Sequence, residues 1–268
     1  MPDQRVVLIT GASSGVGQST ARLLAQRGFR VFGTSRNPAK AEAMAAVEML
    51  PLDVRADDSV RACVDAVVNR GGRLDVLINN AGYELAGALE ELSSEEGRSQ
   101  FETNFFGVVR MVDAVLPLMR RQKSGRIVNV GSLSGLSAIP FMGLYSASKF
   151  ALEGYTEALR HEVKPFNIHV SLTEAGFLNT PMTTHRQVGA NQIADYDPWR
   201  QRALHAIRAQ EEKGPGPEVV AATLLEIVSS KSPRLRYLIG GQAKSVAQLR
   251  RFLPEGMFQS GVRRTFSI

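Results

Sequence analysis

VVLITGASSGVG, at positions 6–17, is the stretch that decides the fold. It opens with an apolar run without alternation, which is typical of a strand covered on both faces. Glycines at positions 11, 15 and 17 follow, and an apolar pattern of helical spacing continues through Leu24. The free N–H groups of a helix N-terminus bind a pyrophosphate, and glycines let the backbone approach it closely. The stretch therefore predicts an α/β fold with a nucleotide site at Gly11, Ser13, Ser14, Gly15, Val16 and Gly17.

The same turn also matches the G-x-S-x-G nucleophile elbow of α/β-hydrolases, with Ser13 as the nucleophile. A hydrolase of that fold needs an earlier strand to supply part of its oxyanion hole. Ser13 follows the first predicted strand, so no earlier strand is available. A serine hydrolase that uses Ser13 is therefore a remote alternative.

Short β-branched runs alternate with helical patterns along most of the chain. The runs lie at 5–10, 30–34, 47–52, 74–79, 126–131, 167–173 and 236–240. Strands that alternate with helices form a parallel sheet with helices on both faces. Right-handed crossovers make such a sheet doubly wound, and its ligand crevice lies outside the carboxyl ends of the strands. We expect a Rossmann-type sheet of seven parallel strands.

Residues 177–217 interrupt this alternation. The segment separates the sixth predicted strand from a helix that starts near Pro217, and it contains Tyr196, Pro198 and Trp199. A connection of this length is usually a lid or a binding segment, and we expect helices of its own around residues 196–212. We predict one dinucleotide-binding domain over residues 1–268, with a lid at about 177–217 and a basic carboxyl-terminal extension at about 241–268.

The composition bounds the class of protein. A chain of 268 residues with 44% hydrophobic and 22% charged residues is long enough for one large α/β domain. No apolar stretch approaches the roughly 18 residues of a membrane span. We expect a cytoplasmic protein without a signal peptide, because the N-terminus runs directly into a strand. Cys63 is the single cysteine and the four histidines are scattered, so neither a disulfide nor a metal site is predicted.

The net charge of +6 is unevenly distributed, since residues 231–268 hold eight Lys or Arg and one Glu. This distribution suits contact with an anionic surface or ligand, but a solvated face or a subunit contact is the more common explanation and is favoured here. Nothing in the sequence matches a nucleic-acid-binding motif.

Arg36 follows the second predicted strand and bears on the choice of nucleotide. An acidic residue near this point binds a ribose 2′-hydroxyl, whereas an arginine suits a 2′-phosphate. Arg36 therefore favours NADP(H) over NAD(H). Asp53 ends the third predicted strand, where it either accepts a hydrogen bond from the adenine amino group or is an ordinary turn residue.

Tyr145 and Lys149 form a candidate acid/base pair. Residues four apart lie on one face of a helix, about 5 to 6 Å apart at Cβ, so both side chains could reach one substrate oxygen. A free tyrosine has a pKa of about 10, and a nearby cation lowers it by stabilising the phenolate. Spacing alone is weak evidence for a catalytic pair. Support for this interpretation must come from motifs in the rest of the chain.

Together these residues resemble the short-chain dehydrogenases/reductases, and in particular the subgroup similar to 17β-hydroxysteroid dehydrogenases. The resemblance covers roughly residues 5 to 185. It is carried by Thr10-Gly11-x3-Gly15-x-Gly17, Asn79-Asn80-Ala81-Gly82, Asn104, Ser132 and Tyr145-x3-Lys149, in this order. The chain departs from the family where the usual Pro-Gly pair after the sixth strand reads Ala175-Gly176, which loosens that loop.

The resemblance implies a role for each catalytic residue. Tyr145 is the acid/base, Ser132 orients the substrate oxygen, and Asn104 holds a water of the proton relay. Lys149 binds the nicotinamide ribose and lowers the pKa of Tyr145. Taken alone, Ser132 is equally well explained as an ordinary turn serine at a strand end. Asn104 taken alone is equally well explained as a helix amide that bonds to the backbone. The resemblance implies cofactor contacts in addition to the glycine turn, Arg36, Asp53, Tyr145 and Lys149. These further contacts are Val54, Asn80, Ala81, Gly82, Gly176, Phe177 and Thr180.

An apolar wall is expected around the reacting carbonyl. Apolar residues precede Tyr145 and follow the sixth strand, and they either line a substrate pocket or belong to the core. The predicted substrate residues are Ser132, Ser134, Phe141, Met142, Tyr145, Phe177 and Met182.

The sequence thus predicts an NADP(H)-dependent carbonyl reductase or secondary-alcohol dehydrogenase for an apolar, steroid-like or other hydrophobic small molecule. A non-catalytic NADP(H)-sensing regulator is the alternative from another class. The resemblance also implies a homodimer or homotetramer, formed through the helices expected near residues 101–120 and 145–163.

Overall fold

The described residues of this computed structural model are 4–184 and 186–268. The nine strands described are β1 Val6–Ile9, β2 Arg30–Ser35, β3 Val47–Pro51, β4 Val76–Asn79, β5 Leu85–Ala86, β6 Gly125–Val130, β7 Ile168–Ala175, β8 Gln187–Val188 and β9 Arg236–Ile239. The ten α-helices described are α1 Gly15–Gln26, α2 Asp57–Gly71, α3 Ser94–Phe101, α4 Gly107–Gln122, α5 Gly143–Glu162, α6 Pro181–Thr184, α7 Asp197–Glu212, α8 Glu218–Ser229, α9 Gly240–Phe252 and α10 Glu255–Thr265.

Seven parallel strands form the central sheet in the order β3-β2-β1-β4-β6-β7-β9. The seven strands predicted from the sequence are confirmed, as is the doubly wound Rossmann-type sheet. The strand order reverses between β1 and β4, and a ligand crevice opens at such a switch point. The loops after β1 and β4 therefore face each other across the expected nucleotide site.

The two faces of the sheet are covered by different helices, and β1 shows how. Val6 and Leu8 pack into a core with α2, α4 and α5, whereas Val7 and Ile9 pack into a second core with α1 and α8. All four residues are buried, as the unalternating apolar run predicts. Burial on both faces fixes the position of the loop that follows β1.

The predicted lid has a framework that the sequence did not indicate. Strands β5 and β8 pair in parallel as a small second sheet, with Leu85 opposite Gln187. Helix α7 matches the helix expected around residues 196–212. It is held by a buried ion pair between Arg200 and Glu91, and Glu91 also accepts a hydrogen bond from the N–H of Ile193 at 2.9 Å. These contacts hold the lid against the turn that precedes α3.

The basic extension forms α9 and α10. The Arg250 guanidinium lies over the rings of Phe150 and Phe258, at 5.5 and 5.9 Å from their centroids. Phe266, just beyond α10, is buried against Phe177 with ring centroids 6.4 Å apart. The extension is thus packed on α5 and on the lid. None of the helices within the described ranges is both long and apolar enough to cross a membrane.

Candidate active site

One cavity of about 780 Å³ gathers most of the predicted site residues at the carboxyl ends of the strands. Of the predicted cofactor residues, all but Gly17 line it, and so do Asn104, Ser132, Ser134, Met142 and Met182. Motifs that are far apart in the sequence therefore converge on one space.

The glycine turn after β1 forms a cradle that side chains would fill. Gly11 and Gly15 have φ of +67° and +53°, which favour glycine. A Cβ on Gly17 would lie 2.2 Å from the Gly11 carbonyl oxygen and 2.5 Å from Nδ2 of Asn80. Gly17 thus lies beneath the turn, where it allows close packing, and does not line the cavity. The shape fits a pyrophosphate at the N-terminus of α1.

Side chains tie this turn to the loop after β4. Asn80 donates from Nδ2 to the carbonyl oxygens of Thr10 and Gly11 at 3.0 and 2.9 Å. The Thr10 hydroxyl accepts from the N–H groups of Asn80 and Ala81, both at 2.9 Å. Asn80 and Thr10 therefore stabilise the two sides of the cavity as a unit.

Arg36 and Asp53 lie at the ends of β2 and β3, where the adenosine half of a nucleotide would bind. Burial opposes ionisation of Asp53, but the hydrogen bonds and charge of Arg55, with a smaller effect of the Arg36 charge, outweigh it and hold the Asp53 pKa below its usual range. The main-chain N–H of Arg55 donates to Asp53 at 3.0 Å. Arg55 is thus occupied by Asp53, whereas the exposed Arg36 has no salt bridge within the described part of the chain.

Tyr145 is buried on α5, with Ser132 beside it. Burial is the main cause that raises the pKa of the Tyr145 phenol above its usual value; the charge of Glu84 adds to this, and a hydrogen bond with the Ser132 hydroxyl opposes it. Tyr145 therefore keeps its proton at neutral pH. The resemblance implied that Lys149 lowers this pKa, but here the pKa is raised, and the groups that oppose burial are Ser132 and Arg186.

Lys149 lies one turn further along α5. Its Nζ is 5.8 Å from the centre of the Tyr145 ring and donates to the carbonyl oxygen of Val130 at 2.9 Å. Burial lowers the Lys149 pKa to about 8, partly offset by the charge of Glu84. The side chain is still mostly cationic at neutral pH, as a group that binds a ribose hydroxyl should be.

Asn104 lies in a π-helical turn, Glu102–Phe106, between α3 and α4. Its Oδ1 accepts from the N–H of Tyr83 at 3.1 Å, and its Nδ2 donates to the Tyr83 carbonyl oxygen at 3.0 Å. Nδ2 also lies 3.3 Å from the Ser148 hydroxyl. Turns of this kind are frequent at functional sites. Asn104 lines the cavity and braces the loop at Tyr83 as well.

The substrate end of the cavity has an apolar wall, with one difference from the prediction. Met142 and Phe177 line the cavity, and Phe266 packs against Phe177 from α10. Phe141 does not line it; this residue has φ of +60° and packs edge to face on Tyr196, with ring centroids 6.4 Å apart. The substrate contact of Phe141 therefore stays a prediction. Phe266 does not line the cavity either, but it packs on the wall residue Phe177, a contact that sequence reasoning missed.

Three charged residues in and around the cavity were also missed. Glu84 follows the Asn80 loop, Arg186 lies in the lid, and Glu211 is in the last turn of α7. Arg186 bridges the two carboxylates. Their separation along the chain hides this contact from any local pattern.

The described part of the chain gives no support to metal or serine-hydrolase chemistry. No group of three His, Cys, Asp or Glu within it could hold a metal ion. Ser13 lines the cavity, but no histidine from the described ranges does. The Ser-His-Asp triad of an α/β-hydrolase needs a histidine as base.

Comparison with known proteins agrees with this geometry. The profile of the family described as short chain dehydrogenase matches residues 5–190. A relative named 3-ketodihydrosphingosine reductase, from Bacteroides thetaiotaomicron, is 43% identical, with 98% of each chain covered. The human 17-beta-hydroxysteroid dehydrogenase type 1 is 36% identical, over 94% of this chain and 82% of its own.

Solved structures carry the same fold. A short chain dehydrogenase/reductase from Burkholderia phymatum, in complex with NAD, is 26% identical with a TM-score of 0.80, over 93% of each chain. ElxO with NADP bound is 25% identical with a TM-score of 0.75, over 91% of this chain and all of its own. The chain belongs to the short-chain dehydrogenase/reductase family, whose members here bind NAD or NADP, and it is an oxidoreductase of CH–OH and C=O groups.

Proposed function

We propose that this protein reduces the carbonyl group of an apolar small molecule with NADPH, and that it can run the reverse oxidation of the alcohol. The observation that carries the proposal is that Ser132, Tyr145 and Lys149 line the same cavity as the glycine turn. The nicotinamide would supply the hydride when bound. The chain must then supply orientation and a proton.

Each catalytic side chain has a defined task in this proposal. The Ser132 hydroxyl orients the carbonyl oxygen, and Tyr145 gives that oxygen its proton. Lys149 binds a ribose hydroxyl, and its charge stabilises the phenolate that remains. Asn104 holds a water through which the proton is replaced. Reduction is the favoured direction, because cellular NADPH pools are kept reduced.

The choice of NADP(H) rests on Arg36. An arginine at the end of β2 suits a 2′-phosphate, and Arg36 is exposed there without a salt bridge to a described residue. The choice of substrate rests on the apolar wall formed by Met142 and Phe177, with Phe266 packed against Phe177. Two relatives are named after a ketone and a hydroxysteroid, the two kinds of compound that a carbonyl–alcohol reaction interconverts.

The remaining expectations concern the whole protein. We propose a single domain with a lid, which works in the cytoplasm as a homodimer or homotetramer. Phe106, just before α4, and Phe150, on α5, are exposed aromatic side chains on the expected subunit interface. Exposed aromatic residues of this kind are typical of such contacts.

Turnover tests the proposal. Purified protein should oxidise NADPH when it is given ketones and aldehydes from a panel of steroids, long-chain ketones and aryl ketones. NADPH binding without turnover on the whole panel would contradict the enzyme and favour the NADP(H)-sensing regulator. Cleavage of an ester by wild-type protein, lost in Ser13→Ala, would favour the hydrolase.

A further inference from the structure

A cluster of three charged side chains borders the substrate end of the cavity. Arg186 donates from Nε to Glu84 Oε2 at 2.9 Å, and its Nη2 also bonds to Glu211 Oε1. The side chains of Glu84, Arg186 and Glu211 are 13%, 9% and 6% exposed. Both carboxylates belong to the cavity lining. The three side chains are thus a buried part of the pocket wall and not an ion pair on the protein surface.

The fold holds the three residues in place from three elements. Pairing of β5 with β8 places Arg186 beside Glu84, since the N–H of Gln187 donates to the Glu84 carbonyl oxygen at 2.9 Å. Glu211 is fixed by the C-terminal turn of α7, where the N–H of Gly214 donates to its carbonyl oxygen at 2.9 Å. The guanidinium therefore bridges the lid and the sheet.

The cluster is incomplete in hydrogen bonds. Glu211 Oε2 is buried and has no hydrogen-bond partner among the described residues. A buried polar atom without a partner costs free energy, unless a ligand completes it. Two carboxylates share the Arg186 guanidinium, and the charge of Arg208 also acts on Glu211. Glu84 acts on Lys149 as well as on the Tyr145 phenol.

The cluster lies close to the reacting centre. The charges of Glu84 and Glu211 both raise the pKa of Tyr145, after the larger effect of burial. Tyr145 also packs in one apolar cluster with Ile207, one turn before Glu211 on α7, so a group bound at Glu211 would belong to the part of the substrate near its carbonyl. Burial raises the Glu211 pKa to about 7 although Arg186 opposes this. A cation that binds there would favour the ionised carboxylate.

We propose that the unpartnered Glu211 oxygen binds a protonated amine close to the substrate carbonyl, so that the preferred substrate class is an apolar amino ketone. This inference rests on the proposed carbonyl reductase. An ammonium supplies the hydrogen-bond donor that Glu211 Oε2 lacks, and its charge favours the ionised form of that carboxyl. A hydroxyl would supply the donor alone. Hydrogen bonds between charged groups are about twice as strong as neutral ones, so the amine should be selected.

The test compares three substrates that differ at one group: octyl methyl ketone, octyl hydroxymethyl ketone and octyl aminomethyl ketone. Glu211→Gln removes the charge but keeps an oxygen for Arg186. Glu212→Gln is the matched control, because it makes the same change at the next, exposed residue. The readout is the ratio of kcat/KM for the amino ketone to kcat/KM for the methyl ketone. A merely structural role would lower both values and leave the ratio unchanged.

We expect wild-type enzyme and Glu212→Gln to prefer the amino ketone on the order of tenfold over both other ketones, as a charged hydrogen bond allows. Glu211→Gln should abolish that preference. A second readout is inhibition of octyl methyl ketone reduction: octylamine should inhibit the wild type more strongly than octanol does, and this advantage should disappear in Glu211→Gln.

Three results would overturn the inference. One is a wild-type enzyme that reduces octyl methyl ketone without preferring the amine, which would leave the proposed function standing. Another is an equal change of the ratio in both variants. The third is a Glu211→Gln variant that loses NADP⁺ affinity and keeps the amine preference, which would assign the carboxylate to the nicotinamide charge. Absence of turnover on every ketone would overturn the proposed function as well.

Discussion

The surroundings of Tyr145 determine the protonation of the proposed general acid. Burial and the charge of Glu84 raise its pKa, whereas the Ser132 hydroxyl lowers it. A phenol that keeps its proton is the form required to protonate the oxygen of a carbonyl. Lys149, with a pKa of about 8, remains a cation beside it. The pair is therefore suited to start a reduction.

Arg36 decides the cofactor preference in our proposal, so neutralising it should separate the two nicotinamide cofactors. Arg36→Gln should raise KM for NADPH at least about tenfold, the effect of losing roughly 1.4 kcal/mol of binding. KM for NADH should change little, because NADH has no 2′-phosphate. Steady-state kinetics with both cofactors measure the difference.

Lys40→Gln is the control for Arg36, because Lys40 is an exposed cation of the same region that does not line the cavity. It should leave both KM values unchanged. An equal rise in KM for NADPH and NADH in Arg36→Gln would remove the basis for preferring NADP(H).

Residues with a local sequence signature could be predicted. Gly11, Asn104 and Ser132 follow recognisable strands or helices at fixed spacing, and the structure places them at one cavity. Glu84 and Glu211 could not be found, because their contact with Arg186 exists only once the lid has folded. Single residues therefore differ in how far sequence alone predicts their position.

At the scale of elements, the turn between β1 and α1 depends on glycines that have no space for a side chain. Gly17→Ala would place a methyl group 2.2 Å from the Gly11 carbonyl oxygen. Overpacking of this kind costs about 1–3 kcal/mol of unfolding free energy, and the shifted turn should also weaken NADPH binding. Thermal unfolding and NADPH titration measure the two effects.

Gly154→Ala is the matched control, because Gly154 lies within α5 and a Cβ there would meet no atom within 4 Å. Alanine is the better helix former by about 0.5–1 kcal/mol, so this variant should be slightly more stable. A Gly17→Ala variant as stable as wild type, with full NADPH affinity, would contradict the close packing of the turn.

Helix α10 contributes to the substrate wall through the residue that follows its end. Phe266→Ala should lower the free energy of unfolding by about 3 kcal/mol, since Phe266 is 6% exposed. It should also raise KM for apolar ketones, because Phe177 loses its ring contact. Chemical denaturation and steady-state kinetics measure these effects.

Phe252→Ala makes the same change in the same extension at a side chain that is 74% exposed. It should alter neither stability nor KM. Equal effects of the two substitutions would show that the extension does not form part of the substrate wall.

For the whole molecule, the central sheet was predictable and the lid was only partly so. Apolar runs such as residues 6–9 are long enough to indicate strands, and their alternation with helices determines a parallel sheet. Strands β5 and β8 have two residues each, and their pairing joins distant parts of the chain. Pairing of that kind leaves no periodic signal in the sequence.

The stability of the whole molecule should depend on pH through Glu174. This carboxyl is fully buried in β7, with Arg236 Nε 3.5 Å from its Oε1. Burial together with Glu153 raises its pKa well above 4.5, although the charge of Arg236 opposes this. The folded state keeps the proton that the unfolded state releases. Stability is therefore full below about pH 4.5 and falls as the pH rises towards the folded pKa.

Glu174→Gln should remove this dependence, because the amide cannot ionise. The melting temperature of the variant relative to wild type should rise between about pH 5 and about pH 8. Glu157→Gln, at an exposed neighbour of Arg236, should follow the wild type. A Glu174→Gln curve parallel to the wild-type curve would contradict a buried, protonated Glu174.

Proton transfer by Tyr145 is the central claim, and Tyr145→Phe tests it most directly. The variant removes one hydroxyl oxygen from a buried ring, so NADPH binding, measured by titration, should be retained. The rate of NADPH oxidation with a ketone that wild-type enzyme reduces should fall by at least about 100-fold, as expected for loss of a general acid. A variant that binds NADPH normally and reduces that ketone at a near-normal rate would contradict the claim.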